Sequence, residues 1–226
     1  MSLQERTLGG ITVVDTPLVM KALQYARKHL NDVAYNHSVR SWLYGVVISA
    51  SIPSLKSHDR ELHAISAILH DLGWAAVTEE LISKDKRFEV DGAEAARAFL
   101  IKEGNKNKWD RHRLQLVWDS IALHSTSSIA DYKEIEVQIT NNGIMADFLG
   151  PEKPFRMLTW KIWDGIAKEF PRDGLKEGVI EACCEICRTK PETTYDNFVS
   201  DFGVKFVPGF SREGKRVLDV VESMAE

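Results

Sequence analysis

Ala64-Ile65-Ser66-Ala67-Ile68-Leu69-His70-Asp71-Leu72-Gly73-Trp74 is a mostly apolar, helix-forming run that ends in a histidine beside an aspartate. Neighbouring residues leave a helix about 100° apart, because one turn takes 3.6 residues. His70 and Asp71 can therefore share one ion only if that ion lies against the helix end and its other ligands come from other helices. His37 stands upstream as a candidate, and His124 and Asp147 stand downstream. Four or five nitrogen and oxygen ligands spread over separate helices suit a divalent metal held inside a helical bundle. The fold class this predicts is all-α, with the metal site in the core.

The pattern on either side is helical almost throughout. Thr16-Pro17 reads as an N-cap and first-turn proline, opening a helix to about Leu30. Residues 34–50 form a second apolar-rich helix carrying His37, and the helix of about 57–70 is expected to stop at Gly73. Asp91 opens an Ala-rich helix to about Glu103, and Asp110 caps another to about His124. Further helices are read over about 132–149, 154–169 and 174–188, with a short one starting at Pro191. The stretch from Phe202 to Phe210, with Gly203 and Pro208-Gly209, reads as an ordered loop laying aromatics on the core. No strand pattern exceeds a short hairpin. Residues 1–226 are expected to be one helical domain, with 190–226 a C-terminal extension packed on its core.

Composition narrows the function. Hydrophobic residues make up 44% of the 226 residues and the net charge is −4, so a sizeable core is available and no basic surface recommends nucleic acid. No apolar stretch nears the ~18 residues of a membrane span, and the N-terminus is too polar for a secretory signal. The three cysteines, Cys183, Cys184 and Cys187, cluster in one segment where they cannot all pair. A reducing, cytoplasmic compartment is the expectation. Their Cys-x-x-Cys spacing lacks the second pair a structural zinc needs, so helical core packing is the reading. The expected partner is a small-molecule substrate; a homo-oligomer is left open.

Taken singly, His37 or the His70-Asp71 pair is a weak signal. The order is more specific: a histidine, a His-Asp dipeptide 33 residues on, then a distant Asp147 flanked by apolar residues. An acid in such surroundings needs a partner if buried. This order resembles the HD-domain superfamily, named for the dipeptide. The resemblance implies that His37, His70, Asp71 and Asp147 bind one metal. Two-metal members carry extra histidines, one near the segment that here reads Arg87-Phe88-Glu89-Val90-Asp91-Gly92-Ala93; no histidine stands there, which argues for one ion per chain. His124 ends the apolar helix Leu116–Leu123 and reads as an acid/base group, with ligation the alternative.

Several blocks resemble the cyanamide hydratase branch of the superfamily. They are His70-Asp71-Leu72-Gly73, residues 87–93, Trp118-Asp119-Ser120-Ile121-Ala122-Leu123-His124, residues 190–198 and Asp201-Phe202-Gly203. The resemblance implies a Zn²⁺-dependent addition of water to a small nitrile, cyanamide giving urea, with Fe²⁺ or Mn²⁺ as alternative ions. In that chemistry His124 would protonate the developing nitrogen anion, and Asp71 could take a proton from the water. Trp74 and Phe88 would wall a small, dry pocket that rejects larger substrates. A phosphohydrolase is the first rival; it would want basic residues at the site, for which Arg40 and the segment Lys84–Arg87 are available. The rival of another class is a non-catalytic binding protein that keeps the fold.

Overall fold

The computed structural model describes residues 3–73, 79–152 and 154–224. An antiparallel hairpin comes first, β1 (Glu5–Leu8) and β2 (Ile11–Val14), joined at Gly9-Gly10, with Glu5 opposite Val14 and Leu8 opposite Ile11. The regular elements described after it are all helices. α1 spans Pro17–His29, and the Thr16 hydroxyl accepts the Val19 N–H as expected of an N-cap. α2 spans Asp32–Ser51, capped by the Asn31 side chain on the Ala34 N–H at 2.9 Å. α3 spans Arg60–Leu69, capped by Asp59. α4 runs Phe88–Glu103 and α5 Arg111–Ala122, the latter capped by Asp110. A short α6 (Ser127–Ala130) precedes α7 (Ile135–Leu149). α8 (Trp160–Glu169), α9 (Leu175–Thr189), α10 (Val199–Phe206) and α11 (Val217–Glu222) complete the chain.

α2 and α7 share the largest helix contact, and α3 and α5 pack beside them. The approach of α7 to α2 is close: a Cβ at Gly143 would lie 2.3 Å from the Ser41 carbonyl oxygen. Trp42, Leu43, Ile65, Ile68, Val117, Ile121 and Ile139 are fully buried between these helices. Burying such side chains is worth about 1.5–3 kcal/mol each, which is what holds the polar groups among them in place. A second apolar cluster, Phe88, Cys183, Ile186, Cys187 and Val199, joins α4, α9 and α10. The buried pair Lys190 Nζ–Asp91 Oδ2, at 2.7 Å, pins the segment after α9 onto α4. Among the described residues no helix is long and apolar enough to cross a membrane.

Three local expectations change. α3 stops at Leu69, and His70 to Gly73 form turns, so Gly73 does not cap the helix. Glycine is required there for another reason: a Cβ would lie 2.0 Å from the Phe88 carbonyl oxygen, where α4 crosses the turn. α4 begins at Phe88, three residues before Asp91. Residues 202–206 are helical rather than a loop. Val199, Phe202, Gly203 and Phe206 recur at helical spacing, and that periodicity outweighs one internal glycine.

Candidate metal centre

α2, α3 and α7 bring four of the expected residues together. His37 lies in the second turn of α2, His70 and Asp71 follow the last turn of α3, and Asp147 lies in the last turn of α7. All four are at most 2% exposed. His37, His70 and Asp71 each offer a ligand atom within 4.8 Å of the others. The imidazoles are aimed by their other nitrogens. Nδ1 of His70 donates to the Ala67 carbonyl at 2.9 Å, and Nδ1 of His37 donates to Asp147 Oδ2 at 2.6 Å. Each ring then keeps its Nε2 lone pair for the site, at 3.2 Å (His70) and 3.8 Å (His37) from Asp71 Oδ2. Tying Nδ1 to an oxygen in this way is how metal-binding histidines are commonly oriented.

Two of the atoms facing the centre have no hydrogen-bond partner, His70 Nε2 and Asp71 Oδ2. Buried polar atoms without partners are costly. Burial opposes ionisation of both residues, but their mutual attraction prevails, raising the His70 pKa and lowering that of Asp71. Two imidazole nitrogens and a carboxylate oxygen converging on one point, with the His70 nitrogen and the Asp71 oxygen left without partners, fit a divalent ion.

Asp147 stands on the other side of His37. Its carboxylate receives Arg40 through Nε at 2.9 Å and Nη2 at 2.7 Å, together with Arg172. Burial disfavours its charge, yet the hydrogen bonds from His37 and Arg40 hold its pKa well below the usual carboxylate range. Arg40 is itself fully buried, and its remaining donors go to the carbonyls of Phe170 and Pro171.

His124, after the end of α5, brings a third imidazole. Its Nδ1 donates to the Ile121 carbonyl at 2.7 Å, and its Nε2 lies 4.0 Å from Asp71 Oδ1. Burial, with His70 adjoining it, pushes its pKa down to about 4. The ring is neutral at pH 7, with the proton on Nδ1 and a lone pair on Nε2. Phe88 meets it edge to face at a centroid separation of 5.5 Å. Trp74 lies outside the described residues.

A cavity of about 300 Å³ opens on this cluster. Its described lining includes His37, His70, Asp71, His124 and Phe88, and also Ser125, Ile144, Met145, Phe148, Val179, Phe198 and Phe202. The last seven were not singled out in the sequence as part of the site. Behind Ser125 lies Glu89, 1% exposed, which accepts from the Ser125 hydroxyl and from Arg87, each at 2.6 Å. Burial works against its charge, but Arg87, His124 and Ser125 keep its pKa lowered. A glutamate one residue from the start of an Ala-rich helix gave little sign of this in the sequence; only the neighbouring Arg87 did.

A helical bundle holding a buried His/His-Asp cluster that could bind a divalent metal where helices meet has the architecture of an HD-type domain. The HD domain family model matches residues 34–148, half of the chain, and the chain belongs to the HD domain family. The matched span begins in the turn before His37 and ends one residue after Asp147. HD domains are typically metal-dependent enzymes, and the buried cluster agrees with such a hydrolase-like function. No curated protein matches the chain.

Proposed function

We propose that this protein is a metal-dependent hydratase that adds water across the nitrile of a small substrate of the cyanamide type. The observation that carries the reading is the lining of the cavity: among the described residues it includes no lysine or arginine. A phosphoester would need cationic donors to meet its charge. Arg40 is committed to Asp147 and two carbonyls, and Arg87 is paired with Glu89. A nitrile brings no charge and needs a nucleophile at carbon and a proton at nitrogen.

His37, His70 and Asp71 would hold one ion per chain, Zn²⁺ or alternatively Fe²⁺ or Mn²⁺. An ion held there would supply hydroxide near neutral pH, since such an ion can lower the pKa of bound water to about 7. Asp147 would act through His37, since it lies outside the converging group and direct ligation would require it to give up one of the hydrogen bonds from His37, Arg40 or Arg172. His124, neutral with Nε2 free, accepts a proton from the attacking water and passes it to the nitrogen as negative charge builds there. Asp71 Oδ1, 4.0 Å from that Nε2, is the alternative acceptor. The oxygen bonds to the nitrile carbon, one proton goes to nitrogen, and tautomerisation gives the amide, which is urea when the substrate is cyanamide. The three cysteines are free and buried, in keeping with the cytoplasmic location we assign.

Metal analysis of the purified protein, combined with a urea- and ammonia-coupled assay on cyanamide beside a generic phosphodiester, tests the reading. One equivalent of tightly held metal and urea formation are expected. Metal-loaded protein that forms no urea, or that prefers the phosphodiester, would overturn it.

A further inference from the structure

The cavity is larger and more aromatic than cyanamide calls for. At about 300 Å³ it has the volume of roughly ten waters. Cyanamide fills a small part of that and offers nothing apolar to the walls. The aromatic groups form a chain leading outward from His124. Phe88 meets His124 at 5.5 Å between centroids, Phe198 meets Phe88 edge to face at 6.3 Å, and Phe202 meets Phe198 edge to face at 6.2 Å. Across the opening, Phe148 lies 5.0 Å from the His37 ring. Phe88 is buried, whereas Phe148 and Phe198 are 44% and 38% exposed. These rings thus run from the metal cluster to solvent, with apolar surface left uncovered at the mouth. Phe198 and Phe202 belong to the region of α10, well beyond residue 148 where the family match ends.

We infer that the wall from α10 selects the substrate, and that the substrate is an uncharged nitrile-type molecule with a flat apolar body, of about the size of an aryl cyanamide. The inference deepens the hydratase reading and rests on it for the reacting group. An aryl ring would stack or pack edge-on against Phe88, Phe148 and Phe198, the arrangements aromatic pairs favour. It would bury ring surface now open to water. A charged body would lose its hydration without meeting an opposite charge among the described lining residues other than the metal cluster. The reaction stays balanced: phenylcyanamide and water give phenylurea, oxygen bonding to the nitrile carbon and one proton moving to nitrogen.

The test compares cyanamide with phenylcyanamide as substrates of the zinc-loaded full chain, and measures phenylurea binding by calorimetry. We expect kcat/KM at least tenfold higher for phenylcyanamide, since each apolar group a pocket recognises is worth about tenfold or more. Phe198→Ala should lower the phenylcyanamide-to-cyanamide ratio about tenfold and weaken phenylurea binding by a similar factor. Phe198→Leu, which keeps apolar bulk, should recover part of both. Phenylurea binding that is sensitive to Phe198, with no nitrile hydrated, would keep the pocket assignment and overturn the hydratase reading. Cyanamide turned over as well as phenylcyanamide, with no phenylurea binding, would overturn the aryl assignment and keep the hydratase reading. Neither binding nor turnover would overturn both.

Discussion

His63 and His70 sit seven residues apart on one face of α3 and its continuation, and both are fully buried. At His70 the Nδ1 proton is tied to the Ala67 carbonyl and Nε2 faces Asp71. At His63 neither ring nitrogen has a hydrogen-bond partner, and the ring instead meets His58 edge to face. Their acidities move in opposite directions. Against the cost of burial, Asp71 raises the His70 pKa, while burial, with His58 beside it, drops that of His63 to about 3. Burial alone therefore does not mark a ligand histidine. The mark is a ring whose far nitrogen is held so that the near one converges with other donors.

The sharpest way to break this contrast is to remove each ring in turn. His70→Ala should lower metal affinity by more than the 10–100-fold that losing an orienting neighbour costs, and metal-dependent turnover should go with it. His63→Leu should bind one equivalent of metal like the unaltered protein. Elemental analysis after gel filtration reads both, and metal retained by the first variant or lost by the second would collapse the distinction. His124→Ala sharpens it further. Its ring also has a tied Nδ1, but it lies outside the tight His37/His70/Asp71 group. We expect kcat to fall by ~10²–10⁴, the usual worth of general acid–base catalysis, with metal content unchanged. If the metal is lost as well, His124 is a ligand.

The next effect belongs to the charged side of the site. Arg40→Met removes the guanidinium that holds both oxygens of Asp147. A buried charge stripped of its partner costs about 3–5 kcal/mol. Urea unfolding of the metal-free variant should show a loss of that order. A loss below about 1 kcal/mol would mean that His37 and Arg172 satisfy Asp147 without Arg40.

How much of this was legible follows the same contrast. His37, His70 and Asp71 could be picked out because polar residues in apolar helices, in a recurring order, are rare. Asp147 was legible as a buried acid in need of a partner, but Arg40 as that partner was not; it stood in the sequence as a free cation for a phosphate. The longer helices up to residue 189 were readable from caps and periodicity, with ends displaced by up to six residues at the start of α8, whereas the short α6 fell in a stretch read as loop. The N-terminal hairpin was readable in principle from Leu8-Gly9-Gly10-Ile11, a glycine pair between β-forming residues, and was not placed there. The aromatic wall was the least legible part. A phenylalanine in a core and one beside a substrate look alike in sequence, and only the packing of α10 against α9, which brings Phe198 to Phe88, puts Phe198 at the cavity mouth.

The smallest effect we predict concerns pH and again turns on His63. With its folded pKa near 3, His63 stays neutral down to strongly acidic conditions. In the unfolded chain a histidine takes up a proton near pH 6.5. Between these values the unfolded state binds the extra proton, so stability falls as the pH falls, by about 1.4 kcal/mol per unit. From pH 7 to pH 5 this amounts to about 2 kcal/mol attributable to His63. His124 is depressed in the same direction, to about 4, and contributes a parallel loss. That loss is present with or without His63 and cancels when two proteins are compared. His63→Leu removes the proton uptake and leaves no unpartnered ring nitrogen. The variant should therefore lose about 2 kcal/mol less than the unaltered protein on going from pH 7 to pH 5, read from urea unfolding of both metal-free proteins. Equal losses in the two would show that His63 is protonated in the folded state, and the difference drawn between the two ends of α3 would fail.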